Sequence, residues 1–389
     1  MIFKYEQCGI SLLENNFWAC YAFETARDLL LKKKPVVINI LTNAHLHQIS
    51  RLFSDISFRK NSDEHAYYSN GESPVRFYTI DHGETRSLNA TFSIESKKNA
   101  IKRAVEYCLF SINSFFYDLE DGIFYDPLDA YPLLKKGVIK TIKNHEQTAG
   151  MSPTVALKTA KVFSETGFDI DKSLVRFLKR YEDLSGYSQI DKIIADDFLD
   201  ICTSGRAYEA LSFLDEWNIL ELLIPEVSVL KTVNQDKDHH PEGNGFWHTL
   251  SCMRCVKKPN KNLMMAILLH DTGKALTATK HKNGNAFPNH SSASKAIAKK
   301  VLNRFYYSRE EMDEIFFLIK NHMILDAVDR LPQHRLRSLF SSPYFSNLLE
   351  LYRADLESGY HKVDSYYNTA RKYKEFLRRD RLKRQGIYL

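Results

Sequence analysis

The chain has 389 residues, enough for two or three domains. With 44% hydrophobic and 26% charged residues it has the composition of a globular protein with a sizeable core, which excludes a wholly disordered chain. The net charge of +6 is a small excess that gains meaning only when it is located. No stretch approaches the roughly 20 apolar residues of a membrane helix. The first residues carry no apolar leader run, and six cysteines are too few for a disulfide scaffold. The expectation is a cytoplasmic protein with reduced thiols and no membrane partner.

In chain order, residues 1–142 read as mixed α and β. Ala22–Lys34 is expected to be helical and stopped by Pro35. Val36–Leu41, rich in β-branched residues, reads as a buried strand, and Val75–Ile80, Ala90–Ser93 and Phe110–Tyr117 are further strands. Asp121-Gly122 is a turn signal before Ile123-Phe124-Tyr125. Residues 143–228 turn helical, with Pro153 in the first turn of one helix, Gly167 after its end, and Pro225 closing the segment. The polar stretch 229–246 reads as a functional loop or linker, and from His248 onward the pattern is again all-helical. In that part Cys252 and Cys255 form C-x-x-C, with His248 four residues before Cys252. No second C-x-x-C accompanies them, so they are assigned to a helix interior as small hydrophobes.

The strongest chemical signal is Leu268-Leu269-His270-Asp271-Thr272-Gly273-Lys274. An apolar helix ends in adjacent imidazole and carboxylate, a donor pair that suits a divalent transition metal better than calcium or magnesium. Further along, Leu348, Leu351, Tyr352 and Asp355 follow i, i+3, i+4, i+7, which puts Asp355 on an apolar helix face. A carboxylate buried there is costly unless it is paired or bound to metal. Leu318 and Ile319 likewise place His322 on an inward face, His248 sits just inside another helix, and His290 precedes one. Each residue alone is well explained as a core or capping group; the ordered set is not.

That order, His248, His270-Asp271, His290, His322, Asp355, resembles the HD superfamily of metal-dependent phosphohydrolases. The surroundings His240-Pro241-Glu242-Gly243, Trp247-His248-Thr249-Leu250, Asn289-His290, Asn321-His322 and Arg353-Ala354-Asp355 are similar to the HD domain of bacterial CCA-adding enzymes and poly(A) polymerases. Arg27–Leu31, Thr42-Asn43-Ala44, Phe110–Asn113, Asp126-Pro127 and Gly137–Ile139 resemble the nucleotidyltransferase head of that family, and Gly167-Phe168 with Leu220–Glu226 resembles its neck. The resemblance implies an α+β head with a mixed sheet over 1–142, an all-α neck over 143–228 and an all-α HD domain over 229–389.

In the head the chain departs from the family. Where the family's catalytic strand carries D-x-D to hold magnesium, this chain has Val37 and Asn39. Valine ligates nothing and asparagine brings no charge. The phosphate-cradling glycine pair is Phe23-Glu24, the RRD segment is Tyr107-Cys108-Leu109, and the base-reading ED…R helix is Met151–Val155. The expectation is therefore a head that does not add nucleotides, attached to a metal-dependent phosphodiesterase acting on 2′,3′-cyclic or terminal phosphates of RNA or nucleotides. A non-catalytic binder of tRNA or other RNA and an active CCA-adding enzyme are the alternatives. By the same resemblance His248, His270, Asp271 and Asp355 would hold one ion of manganese, iron, cobalt or nickel. His290 and His322 would complete a second site bridged by Asp271. Asp271 and Lys274 are the catalytic assignments, with Lys274 and His240 contacting phosphate. Arg371, Lys372, Lys374, Arg378, Arg379, Arg381, Lys383 and Arg384, set against Glu375 and Asp380, leave +6 between 371 and 384. The chain's whole excess is thus one segment, read as a helical tail that tracks an RNA backbone.

Overall fold

The computed structural model describes residues 4–53, 56–58, 65–69, 74–80, 92–151, 154–181, 187, 189–234, 243–281, 284–359 and 363–384. They fall into two compact units, one formed by Met1–Ser152 with Phe168–Val175, the other by Pro153–Gly167 with Arg176–Leu389. The first is α+β and the second is almost wholly helical. No helix among the described residues is long and apolar enough to cross a membrane.

The first unit is organised by a seven-stranded mixed sheet of β1 (Ala19–Ala22), β2 (Ile38–Thr42), β3 (Ile56–Phe58), β4 (His65–Ser69), β5 (Pro74–Thr79), β6 (Phe116–Asp118) and β7 (Phe124–Tyr125). Their spatial order is β3-β4-β5-β2-β1-β6-β7. Among the described residues of this sheet only β2 and β5 pair in parallel, in a register that begins at Ile38 opposite Val75. β1 and β2 are buried along their whole length, which suits their apolar runs to a central position.

Four expectations need correction in this unit. The helix expected from Ala22 begins only at Glu24, as α1 (Glu24–Leu30), because β1 occupies Ala22 and Phe23 turns the chain with φ +58°. The strand expected at Val36 starts at Ile38, where its ladder to β5 begins. Phe110–Tyr117 is interrupted by a 3-10 turn at Ser111–Asn113, closed by Ser114 Oγ donating to the Ser111 carbonyl at 2.7 Å. Side chains of this type compete with ladder hydrogen bonds for the backbone. Of the strand expected at Ala90–Ser93, Ala90 and Thr91 lie outside the described residues, and Ser93 caps the helix Ile94–Val105.

The second unit opens with α2 (Val155–Thr166), which ends on Gly167 at φ +71°. A side chain there would be strained in φ and would also meet Arg206. Pro153 lies outside the described residues. Pro225 does not simply close a helix; it opens the short helix Pro225–Ser228 as its first residue. The elements that build the site are α3 (Gly245–Cys255), α4 (Lys261–Leu269), α5 (His290–Arg304), α6 (Arg309–Asn321), α7 (Phe345–Ser358) and α8 (Asp364–Arg384). One hairpin, Thr279–His281 with Gly284–Ala286, interrupts the helical pattern expected after His248.

Helix α4 is buried continuously from Leu263 to Leu269. A helix apolar on every side belongs at a centre, and α3, α5, α6 and α7 pack around it. Asn244 caps α3 and Asn260 caps α4, while Ser308 and Glu311 form a capping box on α6.

Candidate functional site

Burying the apolar faces of these helices brings together residues far apart in sequence. His270 is the C-cap of α4 and Asp271 follows it; His290 is the first residue of α5, His322 the C-cap of α6, His248 lies in α3 and Asp355 in α7. Gly273 permits the closest approach. A side chain there would collide with the His290 carbonyl and the Ser294 backbone, and its own N–H donates to Ser294 Oγ at 2.8 Å. The turn that carries Asp271 is thereby held against the start of α5.

Asp271 lies at the centre, 1% exposed. Its Oδ2 is 3.3 Å from His270 Nε2, 3.9 Å from His248 Nε2 and 2.5 Å from Lys274 Nζ. Its Oδ1 faces the other way, 3.4 Å from His290 Nε2 and 3.8 Å from His322 Nε2. Asp355 Oδ1 is 3.0 Å from His248 Nε2. The potential ligand atoms form two groups, His248, Cys252, His270 and Asp355 in one, Asp271, His290 and His322 in the other.

The imidazoles are oriented from behind. His270, His290 and His322 each place Nδ1 within 2.6–2.9 Å of the carbonyl three residues earlier, at Ile267, Phe287 and Ile319. A carbonyl only accepts, so Nδ1 carries the proton and Nε2 the lone pair. Burial pushes His290 down, and it brings His322 down to about 4, so both rings are neutral near pH 7. Their Nε2 atoms nevertheless face each other at 3.1 Å. Two lone pairs held that close need a cation between them or beside them. His270 Nε2 and both Asp271 oxygens are also buried without a well-formed hydrogen bond. This set of nitrogen and oxygen donors fits divalent metal. Burial alone would raise the Asp271 carboxyl, but His270, Lys274 and His322 hold it well below the usual carboxylate range. Burial likewise opposes ionisation of Asp355, and the neighbouring His248 overrides it.

The depressed His322 value gives a pH signature. An unfolded chain takes up this proton near pH 6.5, the native metal-free protein only near 4. Between those values the unfolded state binds more protons, so stability is full above about pH 6.5 and falls as the pH drops. His322 alone contributes about 3 kcal/mol to that loss. Thermal melts of chelator-treated protein should therefore show a falling Tm from pH 7 to pH 5, flattened in His322→Gln.

Of the other site assignments, His240 lies outside the described residues. Lys274 is close to Asp271, its Nζ also 5.5 Å from the Phe287 ring centroid. The basic segment is helix α8, and only part of it is free of other tasks. Lys372 pairs with Asp329, and Tyr373 and Phe376 pack on Phe340. Arg371, Lys374, Arg378, Arg379 and Arg381 are exposed, and the side chains of Lys383 and Arg384 lie outside the described set.

The C-x-x-C spacing assigns Cys252 to the helix interior as a small hydrophobe, and the structure gives it more than that. It is buried, yet its Sγ lies 3.5 Å from His248 Nε2 and 3.1 Å from Ser358 Oγ. The spacing held the signal: Cys252 is i+4 from His248, and Ser358 is i+3 from Asp355.

In the first unit, Asn39 and Glu24 are tied together. Asn39 Nδ2 donates to Glu24 Oε2 at 3.0 Å, and Tyr78 donates its hydroxyl to Asn39 Oδ1 at 3.3 Å. Asn113 Nδ2 donates to Glu24 Oε1 at 2.9 Å, and buried Arg27 donates to Asn113 Oδ1 at 3.0 Å. Phe23 holds φ +58° and ψ −128°, a conformation that favours glycine, and its ring packs on Tyr78 and Phe116. Val37 precedes β2, its carbonyl accepting from Thr25 Oγ1 at 3.1 Å.

The sequence profile described as "HD domain" matches residues 248–340, which hold His248, His270, Asp271, His290 and His322, with Asp355 beyond the matched stretch. The chain is also similar to bacterial poly(A) polymerases and CCA proteins. It is 24% identical over 220 residues to poly(A) polymerase I of Escherichia coli, covering 54% of this chain and 47% of that one. It is 26% identical over 173 residues to the multifunctional CCA protein of Neisseria gonorrhoeae, covering 43% and 40%. The matches thus span about half the length of these curated relatives or less. Among solved structures, the CCA-adding enzyme of Bacillus stearothermophilus in complex with CTP shares the fold, with a TM-score of 0.59 at 15% identity over 95% of this chain and 81% of that chain.

Proposed function

We propose that the helical unit is a metal-dependent phosphodiesterase of the HD type, acting on 2′,3′-cyclic or terminal phosphates of RNA or nucleotides. The observation that carries this reading is the convergence of Nε2 lone pairs on a buried carboxylate whose oxygens are met by one ammonium, that of Lys274, and otherwise lack a well-formed hydrogen bond. His248, His270, Asp355 and Asp271 Oδ2 would hold one ion; Asp271 Oδ1, His290 and His322 would hold a second. When bound, a divalent ion supplies Lewis acidity, acidifying water and offsetting charge on phosphoryl oxygens. Manganese, iron, cobalt and nickel suit the donor set. Asp271 orients both groups of ligands, and Lys274 keeps it ionised while standing within reach of a phosphoryl oxygen. The polymerising chemistry of the relatives is not assigned to this chain, because Asn39 and Val37 replace carboxylates and Glu24 fills the space beside them. We place the protein in the cytoplasm, where unpaired cysteines persist.

RNA would meet the exposed cations of α8. The test uses two substrates, a 2′,3′-cyclic mononucleotide and a short single-stranded RNA, with excess Mn²⁺. His270→Ala with Asp271→Ala should lower turnover of both by more than the 10–100-fold typical of losing an outer-shell partner. Raising the salt concentration should weaken only RNA binding. Unchanged turnover in the double variant would refute the assignment.

A further inference from the structure

The HD reading accounts for histidines and carboxylates but not for the thiol among them. Cys252 is 1% exposed and one turn after His248 on α3. Its Sγ is 3.5 Å from His248 Nε2 and 3.9 Å from Asp355 Oδ1. These two groups are 3.0 Å apart, and the ligand atoms of His248, Cys252, His270 and Asp355 all lie within 4.8 Å of one another. Around one four-coordinate ion with bonds of about 2.1 Å to nitrogen or oxygen and about 2.3 Å to sulfur, neighbouring ligand atoms stand roughly 3.4–3.6 Å apart. The thiol lies at the distance of a ligand. A second observation points to the same space: His270 Nε2 is buried there without a hydrogen-bond partner.

We propose that Cys252 is a thiolate ligand of the first metal subsite, which therefore takes a thiophilic divalent cation held by Cys252 together with His248, His270, Asp355 and the shared Asp271 Oδ2. This rests on the metal-dependent reading above. The other subsite, Asp271 with His290 and His322, offers only nitrogen and oxygen. Softness thus separates the two, and the pair of sites is built to hold two different metals. On ligation the S–H proton passes to solvent, a sulfur lone pair forms the bond to the cation, and no oxidation state changes. Ser358 serves the ion-free form. Its hydroxyl donates to the Asp355 carbonyl at 2.8 Å, leaving an oxygen lone pair 3.1 Å from Sγ to accept the thiol proton.

The test is cobalt titration of the chelator-treated full chain, read by absorption. Sulfur-to-cobalt charge transfer gives a near-ultraviolet band that nitrogen and oxygen ligands do not, beside the visible bands that report any bound cobalt. The wild type should show this band within the first equivalent. Cys252→Ser should lack it, still bind cobalt, and bind its first equivalent about tenfold or more weakly. Cys255→Ser should keep it. Should Cys252→Ser fail to fold, the wild type and Cys255→Ser decide the question. Visible bands without charge transfer in the wild type would overturn the thiolate and leave the metal reading standing. No cobalt binding at all would overturn both.

Discussion

Asp271→Asn should abolish the metal-induced stabilisation of this protein. In the wild type, a cation present at about 1,000 times its Kd stabilises the native state by about 4 kcal/mol. In a domain of about 200 residues that raises Tm by roughly 10 °C. Asp271 dominates because its two oxygens face the two ligand groups separately, Oδ2 toward His270 and His248, Oδ1 toward His290 and His322. Asparagine keeps the shape and removes the one charge that both groups share. A variant of a single-group ligand, such as His290→Ala, should retain part of the shift. The measurement is thermal melting with and without Mn²⁺ after chelation. A shift of wild-type size in Asp271→Asn would show that any ion stabilising the fold binds elsewhere.

The candidate ligands on helices are legible in the sequence because each belongs to a local pattern. Asp355 stands on the apolar stripe of Leu348, Leu351 and Tyr352, and all three are buried. His322 follows Leu318 and Ile319 inward in the same way. A helix fixes which face a residue takes, so sequence spacing carries over to space. Cys252 is harder, because a buried cysteine reads as a small hydrophobe whether or not a ligand stands beside it. Its neighbours Asp355 and Ser358 approach from another helix. The charge of α8 can be counted, but Tyr373 and Phe376, which anchor it on Phe340, are placed only by the fold. The sheet is least legible. Its order depends on pairings such as Ile38 with Val75, and no local signal specifies them. The turn at Phe23 is hidden because a phenylalanine occupies a conformation that favours glycine.

The same region yields the second large effect. Asn39→Asp places a carboxylate at a fully buried position of β2, and it should destabilise the sheet-bearing unit by roughly 3–5 kcal/mol. Asn39 is fully buried, and its amide donates to Glu24 at 3.0 Å. Aspartate would remove that donor and set a fully buried carboxylate against the half-buried one of Glu24. Glu24 has little freedom to withdraw, since Asn113 holds its other oxygen at 2.9 Å. Native-state hydrogen exchange of the Ile38–Thr42 amides would read the loss locally. Adding Glu24→Gln should recover most of it, because a glutamine amide can donate to the introduced carboxylate while its oxygen still accepts from Asn113. Exchange unchanged in Asn39→Asp would mean that Glu24 does not oppose a carboxylate there. The expected outcome carries a functional consequence. A carboxylate at position 39 and Glu24 oppose each other in this packing, so a Val37→Asp with Asn39→Asp variant should show no nucleotide addition to tRNA. Position 39 is occupied by a hydrogen-bond network that joins Asn39, Glu24, Asn113 and Arg27, and a buried carboxylate does not fit into it.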